Sequence, residues 1–290
     1  MIQPGIYPNM TEAEYHADPC PEASLSASIA GIIWHRSPLH GFMAHPKLNP
    51  ARQQIESSTF DLGKAAHAVI LECDESKLAI IDADDWRTKA AKEARDEARL
   101  AGKIPVLPHQ HAEVMAMATA AHEAIQGSEL AGIFQDGKPE QSVIAHDGIW
   151  MRGRFDWMTT DRKIILDYKT VGRSANPESF LRSNVFSFGY DIQAAMYPLL
   201  NELTGGPSDA KFVWLVQETE FPYACSICGA SPSLIESGQR KLSRVRDQWT
   251  ECMMTGIWPG YGKRIAWLDA PSWELAKVEE RELMDEMEDL

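Results

Sequence analysis

Apolar positions along this chain change period several times, and each change marks an element. Between residues 109 and 126, Val114, Met117, Ala118, Ala121 and Ile125 recur at three- and four-residue intervals, which predicts a helix with one buried stripe. Similar spacing predicts a helix over 25–34, with Ser26 or Ser28 as its N-cap and an end before Pro38. Further helices are expected over 57–72 with Ser and Thr caps, over 188–203, and over 231–255 closed by Gly256. Residues 84–102 alternate charge on an alanine-rich background and predict a solvated helix. β-Prone runs bounded by turn residues predict strands at 140–146, 149–158, 163–169, 211–217 and 222–227, the first three forming a meander. Asn176 is placed to cap a short helix opening at Pro177, and the first 24 residues read as an irregular lead-in with a short helix over 11–16. This order predicts an α/β fold, a central mixed β-sheet flanked by helices. One domain with a helical N-terminal part is expected over 1–270, and an acidic helical tail over 271–290.

The chemistry concentrates in the meander. Asp156 and Asp167 fall near the facing ends of two strands, and Lys169 shares the face of Asp167 because strand side chains repeat every second residue. Two close carboxylates repel, which favours a hard divalent cation between them, and an amine alongside can orient water or offset charge on a phosphate. The plain alternative is a hairpin whose charges are merely solvated. Glu140 opens the same meander. On the helix over 57–72, Gly63 and His67 lie one turn apart, and a glycine there would let another backbone approach the imidazole. Tyr190, Gln193 and Tyr197 share one face of the helix over 188–203, where Pro198 should distort the turn, and all three can hydrogen-bond. His35, Arg36, His40 and His45 cluster after an early helix and read as surface punctuation more readily than as a phosphate site.

Composition then limits the partners. A net charge of −14 over 290 residues argues against a broad nucleic-acid-binding face. Much of it sits in the tail, where eight acidic residues after Pro271 face only Lys277 and Arg281, so DNA could still be met in a local channel. Five scattered cysteines make no disulfide framework, and Cys225 and Cys228, three apart in a β-prone run, point to opposite faces rather than to one metal. No apolar run is long enough to span a membrane and no basic-then-apolar leader opens the chain, so the expected location is the cytoplasm.

Taken together, Gly63-Lys-Ala-Ala-His67, Glu140, Gly153-Arg-Phe-Asp156, Leu166-Asp-Tyr-Lys169 and Gln193-Ala-Ala-Met-Tyr197 resemble the PD-(D/E)xK nuclease superfamily in order and spacing. More closely, they resemble the nuclease domain of bacterial and phage exonuclease VIII (RecE), and Leu25-Ser-Ala-Ser28 with Ser37-Pro38 extends the likeness over residues 20–260. Phe155 stands where the motif's name has proline. The resemblance implies a restriction-endonuclease-like core in which His67, Asp156, Asp167 and the Tyr168 carbonyl are metal ligands. It makes Lys169 the residue that positions water and stabilises the transition state, Gln193 and Tyr197 its supports or those of a phosphate oxygen, and Glu140 an auxiliary acid. The implied activity is Mg²⁺-dependent digestion of linear duplex DNA from its ends, 5′ to 3′, with Mn²⁺ able to substitute. A closed homo-oligomeric ring would feed a single-strand annealing protein in phage-type homologous recombination. The alternatives are an endonuclease, a CRISPR-associated type of end-trimming nuclease, or a non-catalytic DNA-binding recombination scaffold.

Overall fold

The computed structural model describes residues 2–52 and 58–288 and divides into two compact units, Met1–Pro259 and Gly260–Leu290. The first unit opens with strand β1 (Gly5–Tyr7) and helix α1 (Glu12–His16), whose Thr11 and Glu14 cap each other's backbone. Strand β2 (Leu25–Ser26) runs straight into α2 (Ala27–His35), capped by Ser26, and α3 (Pro38–Ala44) follows with Ser37 as its cap. Helix α4 (Ser58–Leu71) carries His67; the Ser57 cap expected for it lies outside the described residues. Next come β3 (Leu78–Ile80), the solvated α5 (Lys89–Leu100), β4 (Ile104–Val106) and α6 (Pro108–Gln126). The long meander β5 (Lys138–Asp147), β6 (Ile149–Met158) and β7 (Ile164–Val171) precedes α7 (Pro177–Phe180), a π-turn over Leu181–Val185 and α8 (Tyr190–Leu203). Strands β8 (Lys211–Glu218) and β9 (Cys225–Gly229) and helix α9 (Pro232–Thr255) complete the unit, α9 starting on Ser231 and Pro232 and stopping where Gly256 turns left-handed.

The main sheet has seven strands in the order β1-β5-β6-β7-β8-β9, with β2 added along β6, while β3 and β4 form a small parallel pair. β7 and β8 are parallel and the other pairs along the main path are antiparallel, so the sheet is mixed and flanked by helices, as the sequence predicted. Two hydrophobic cores lie on its two faces. One gathers α2, α8 and α9 over Ile165, Trp214, Phe155 and Met151; the other gathers α4 and α6 over Leu166, Tyr168 and Leu215. The alternation of β7 and β8 divides between these cores residue by residue, and the stripe predicted for α6 is the set that α6 buries.

Two features of the sheet position the site. β6 pairs with β7 only through Trp157↔Leu166 and Met158↔Ile165, whereas β7 pairs with β8 along all of its eight residues. The strands therefore fork at the level of Asp156 and Asp167. β2 takes up the same edge of β6 further along, at Met151 and Arg152, so the fork is a gap bounded by strands. Across β6, Glu140 stands opposite Asp156 with φ at +55°, a left-handed conformation that costs a non-glycine residue roughly 1–2 kcal/mol. The alternation of β6 slips at the same level, since Phe155 joins one core and Trp157 the other.

Three expectations are corrected. The lead-in is not irregular throughout, because β1 forms an edge strand on β5. Phe188 lies outside the helix, because Gly189 is left-handed at φ +72° and α8 starts after it. His45 is no surface punctuation: it is fully buried, with its Nε2 3.2 Å from Asp18 Oδ2 and 3.0 Å from the Ser24 carbonyl. In the second unit, α10 (Ser272–Glu288) is amphipathic and exposes Trp273, Leu283 and Met287 beside its acidic residues.

Candidate active site

The fork lets residues from opposite faces of the sheet meet. From the α4 side, His67 places Nε2 3.3 Å from Asp156 Oδ1 and Nδ1 3.3 Å from Glu140 Oε1. Donor atoms of these three side chains all lie within 4.8 Å of one another, the one such His, Cys, Asp and Glu group among the described residues. The other oxygen of Asp156 accepts the Tyr168 N–H at 2.8 Å, a bond that replaces the missing ladder contact between β6 and β7. Glu140 is also gripped by Arg154, whose Nη1 reaches the Met10 carbonyl at 2.9 Å and Ser142 Oγ at 2.8 Å.

On the α8 side lies Asp167, 1% exposed. Its Oδ2 is 2.5 Å from Lys169 Nζ, and its Oδ1 accepts the Gln193 side-chain N–H at 2.6 Å. Lys169 in turn lies 4.8 Å from the ring centre of Tyr190, a cation–π contact. Tyr197 sits deeper in the core, stacked on Phe155 at 4.6 Å, and reaches Lys169 only through Gln193 and Asp167. Tyr168 points its hydroxyl away from the fork to Gln217 Oε1, 2.6 Å distant, on the face that α6 covers. The close backbone approach expected at Gly63 is instead a side-chain contact, Thr170 Oγ1 lying 3.8 Å from where a Cβ would stand.

Electrostatics follow from this crowding of acids. Burial opposes a charged imidazole, but Asp156 and then Glu140 overcome it and push His67 up to about 9. Burial likewise pushes the Asp167 carboxyl up to about 6 despite Lys169, whereas His67 and Lys169 hold Asp156 below the usual carboxylate range against its burial. Lys169 keeps its proton more tightly than a free lysine, because Asp167 and Asp156 outweigh the cost of burying it. The carboxylates thus exceed the fixed cations near them, and the imidazole holds a proton in their midst. A donor set of one imidazole and convergent carboxylates that gathers positive charge fits a hard divalent cation.

Of the residues singled out from the sequence, His67, Glu140, Asp156, Asp167 and Lys169 lie at this fork, Gln193 one contact behind it and Tyr197 one further. Sequence reasoning missed Arg154, Tyr190 as the ring under Lys169, and Gln217. A signal for Arg154 was present: the one-residue turn at Gly148 sets Glu140 opposite Asp156 and Ser142 opposite Arg154, so all four share a face.

A forked mixed sheet carrying an aspartate on each prong, with a lysine two residues beyond the second, defines the PD-(D/E)xK-like class of α/β protein. The chain belongs to the family described as PDDEXK-like domain of unknown function (DUF3799), whose model matches residues 38–271. Among solved structures, one from Eubacterium rectale described as a "putative exonuclease" has a TM-score of 0.60 at 12% identity, covering 92% of this chain and 98% of that one. That likeness is one of fold. No curated protein matches the chain. No helix among the described residues is long and apolar enough to cross a membrane.

Proposed function

We propose that this protein is a divalent-metal-dependent deoxyribonuclease that hydrolyses phosphodiester bonds at the fork. The observation that carries this reading is the convergence of His67, Glu140 and Asp156 on one side of the gap and Asp167 with Lys169 on the other. His67, Asp156, Asp167 and the Tyr168 carbonyl would hold the ion, and the geometry adds Glu140 to that set. A cation held there supplies positive charge to the scissile phosphate and acidifies the attacking water. The chain's own residues do the rest. Lys169, fixed between Asp167 and the Tyr190 ring, offers a permanent positive charge to the oxygens on which charge builds. Gln193 fixes the rotamer of Asp167, and the Tyr168 N–H that of Asp156.

The motif resemblance to the exonuclease VIII domain extends the proposal. On that basis the substrate is the end of linear duplex DNA, digestion runs 5′ to 3′, and Mg²⁺ is the working ion with Mn²⁺ as a substitute. Supply of one strand to an annealing protein during recombination, from a homo-oligomeric ring, belongs to the same proposal. A ring would also reconcile an acidic chain with a DNA substrate, since only its inner wall need be basic.

The test supplies linear and closed-circular DNA with Mg²⁺ to the wild type, Lys169→Ala and Asp167→Ala. Linear DNA should be degraded by the wild type and spared by both folded variants, with rate losses of about 10²–10³ or more. Full activity in either variant would sink the site assignment.

A further inference from the structure

Immediately before α8 the chain presents an aromatic ring to solvent beside the site. Phe188 is 62% exposed, yet its position is not loose. Its N–H donates to the Asn184 carbonyl at 2.9 Å, and the next residue, Gly189, packs so closely on Gly31 of α2 that an added Cβ would lie 3.3 Å from the Gly31 Cα. Only glycine suits Gly189, on both its φ of +72° and this contact. The Gly189 carbonyl then accepts the N–H groups of Ile192 and Gln193, tying the segment to the helix that serves the site.

Phe188 ends a row of three rings. Phe180, 1% exposed, stacks on Tyr190 with centroids 6.0 Å apart and planes at 29°; Tyr190 meets Phe188 at 5.7 Å and 32°. The amine of Lys169 lies over the middle ring. From the gap outward, the surface therefore offers a positive charge, then a half-buried ring, then an exposed one. An unpaired nucleic acid strand repeats the matching sequence, an anionic phosphate joined to a flat, polarisable base. Leaving a phenylalanine uncovered forgoes the favourable burial that the rest of the core exploits.

We propose that Phe188 is the stacking surface for a nucleobase next to the scissile phosphate, so that the strand enters the fork unpaired at that position. The proposal rests on the nuclease reading and adds to it a single-stranded subsite. Stacking on an aromatic side chain does not depend on base identity, so the subsite would tolerate any sequence.

The experiment uses single-stranded oligonucleotides carrying 2-aminopurine at successive positions from one end, with the full-length chain in EDTA so that nothing is cut. The wild type should quench the probe at one position, and an abasic residue there should weaken binding. Phe188→Ala should abolish the quench and raise Kd about tenfold, within the range for loss of one base stack, and Phe188→Trp should restore both. Wild-type binding with an equal Kd and quench in Phe188→Ala would overturn the stacking role alone. A change of sedimentation in Phe188→Ala with DNA binding untouched would overturn it too, by assigning the ring to a protein interface. Failure of the wild type to bind any DNA would overturn the nuclease reading and this subsite together, whereas binding without cleavage after Mg²⁺ is added would remove only the nuclease reading.

Discussion

In the proposed mechanism Gln193 acts without touching substrate. Its amide donates to Asp167 Oδ1 at 2.6 Å, while the other oxygen of that carboxylate holds Lys169, so the glutamine determines where the amine points. Gln193→Ala is expected to lower kcat by about 10–100-fold, the usual range for residues that orient a ligand or catalytic group, with little change in KM. A melting curve close to the wild type should accompany the loss, and steady-state kinetics on linear DNA would check it. Tyr197, one contact further back, bonds Gln193 and packs in the core, and the sequence could not separate the two roles. Gln193 and Tyr197 share a helical face, but only packing shows that the Tyr197 ring lies on Phe155.

At the scale of elements, α8 is held against the sheet by α9, and Gly238 makes that crossing possible. A Cβ on Gly238 would come within 2.0 Å of the Asp191 carbonyl oxygen, which belongs to backbone and cannot swing aside. Beside it, Asp191 Oδ2 bonds Lys241 at 2.5 Å, and that lysine lies over the rings of Trp34 and Phe186. Gly238→Ala is expected to destabilise by about 3 kcal/mol, the upper end for overpacking, and to lower activity as well, since the displaced helix carries Tyr190 and Gln193. A shifted urea midpoint together with reduced turnover is the expected pair of readings. The long elements were legible because repetition announces them. Val114, Met117, Ala118, Ala121 and Ile125 keep a helical period over 12 positions, and all five are buried. β2, β3 and β4 have two or three residues each and hold no period at all; their pairing partners, such as Met151 for Leu25, lie far away in sequence. The slip at Asp156 was equally hidden, because Glu140 turns left-handed without a glycine to mark it.

At the scale of the whole molecule, a buried ionic knot fastens the N-terminal segment to the sheet. Asp18 accepts the Ser24 N–H and Oγ–H, each at 2.8 Å, and lies 3.2 Å from both Arg152 Nη1 of β6 and His45 Nε2 beyond α3, all of them almost fully buried. Burial alone would raise the Asp18 carboxyl, but His45, Arg152 and Ser24 hold it down at about 2. A carboxylate whose folded pKa is depressed stabilises fully above its unfolded value near ~3.9, and that stability is lost as pH falls through the folded value. Acid unfolding should therefore set in between about pH 4 and 2. Asp18→Asn should flatten that dependence, and it should cost about 3–5 kcal/mol at neutral pH by leaving the buried Arg152 guanidinium without its carboxylate, as chemical denaturation at the two pH values would show. Nothing local in the sequence announces the knot, because its members are 6, 27 and 134 positions from Asp18. The tail is a different case: its acidic composition was plain, and it forms α10 in the second unit. We propose that the domain boundary falls near residue 270, within the second unit that begins at Gly260.

The limited pairing between β6 and β7 has a mechanical consequence. Lys169 and Asp167 belong to a strand paired with β8 throughout, while Asp156 and Glu140 belong to the β5–β6 ribbon; two residue pairs and the Asp156–Tyr168 bond join the two. The gap thus takes one wall from each half of the sheet, and its width is set where the two halves join.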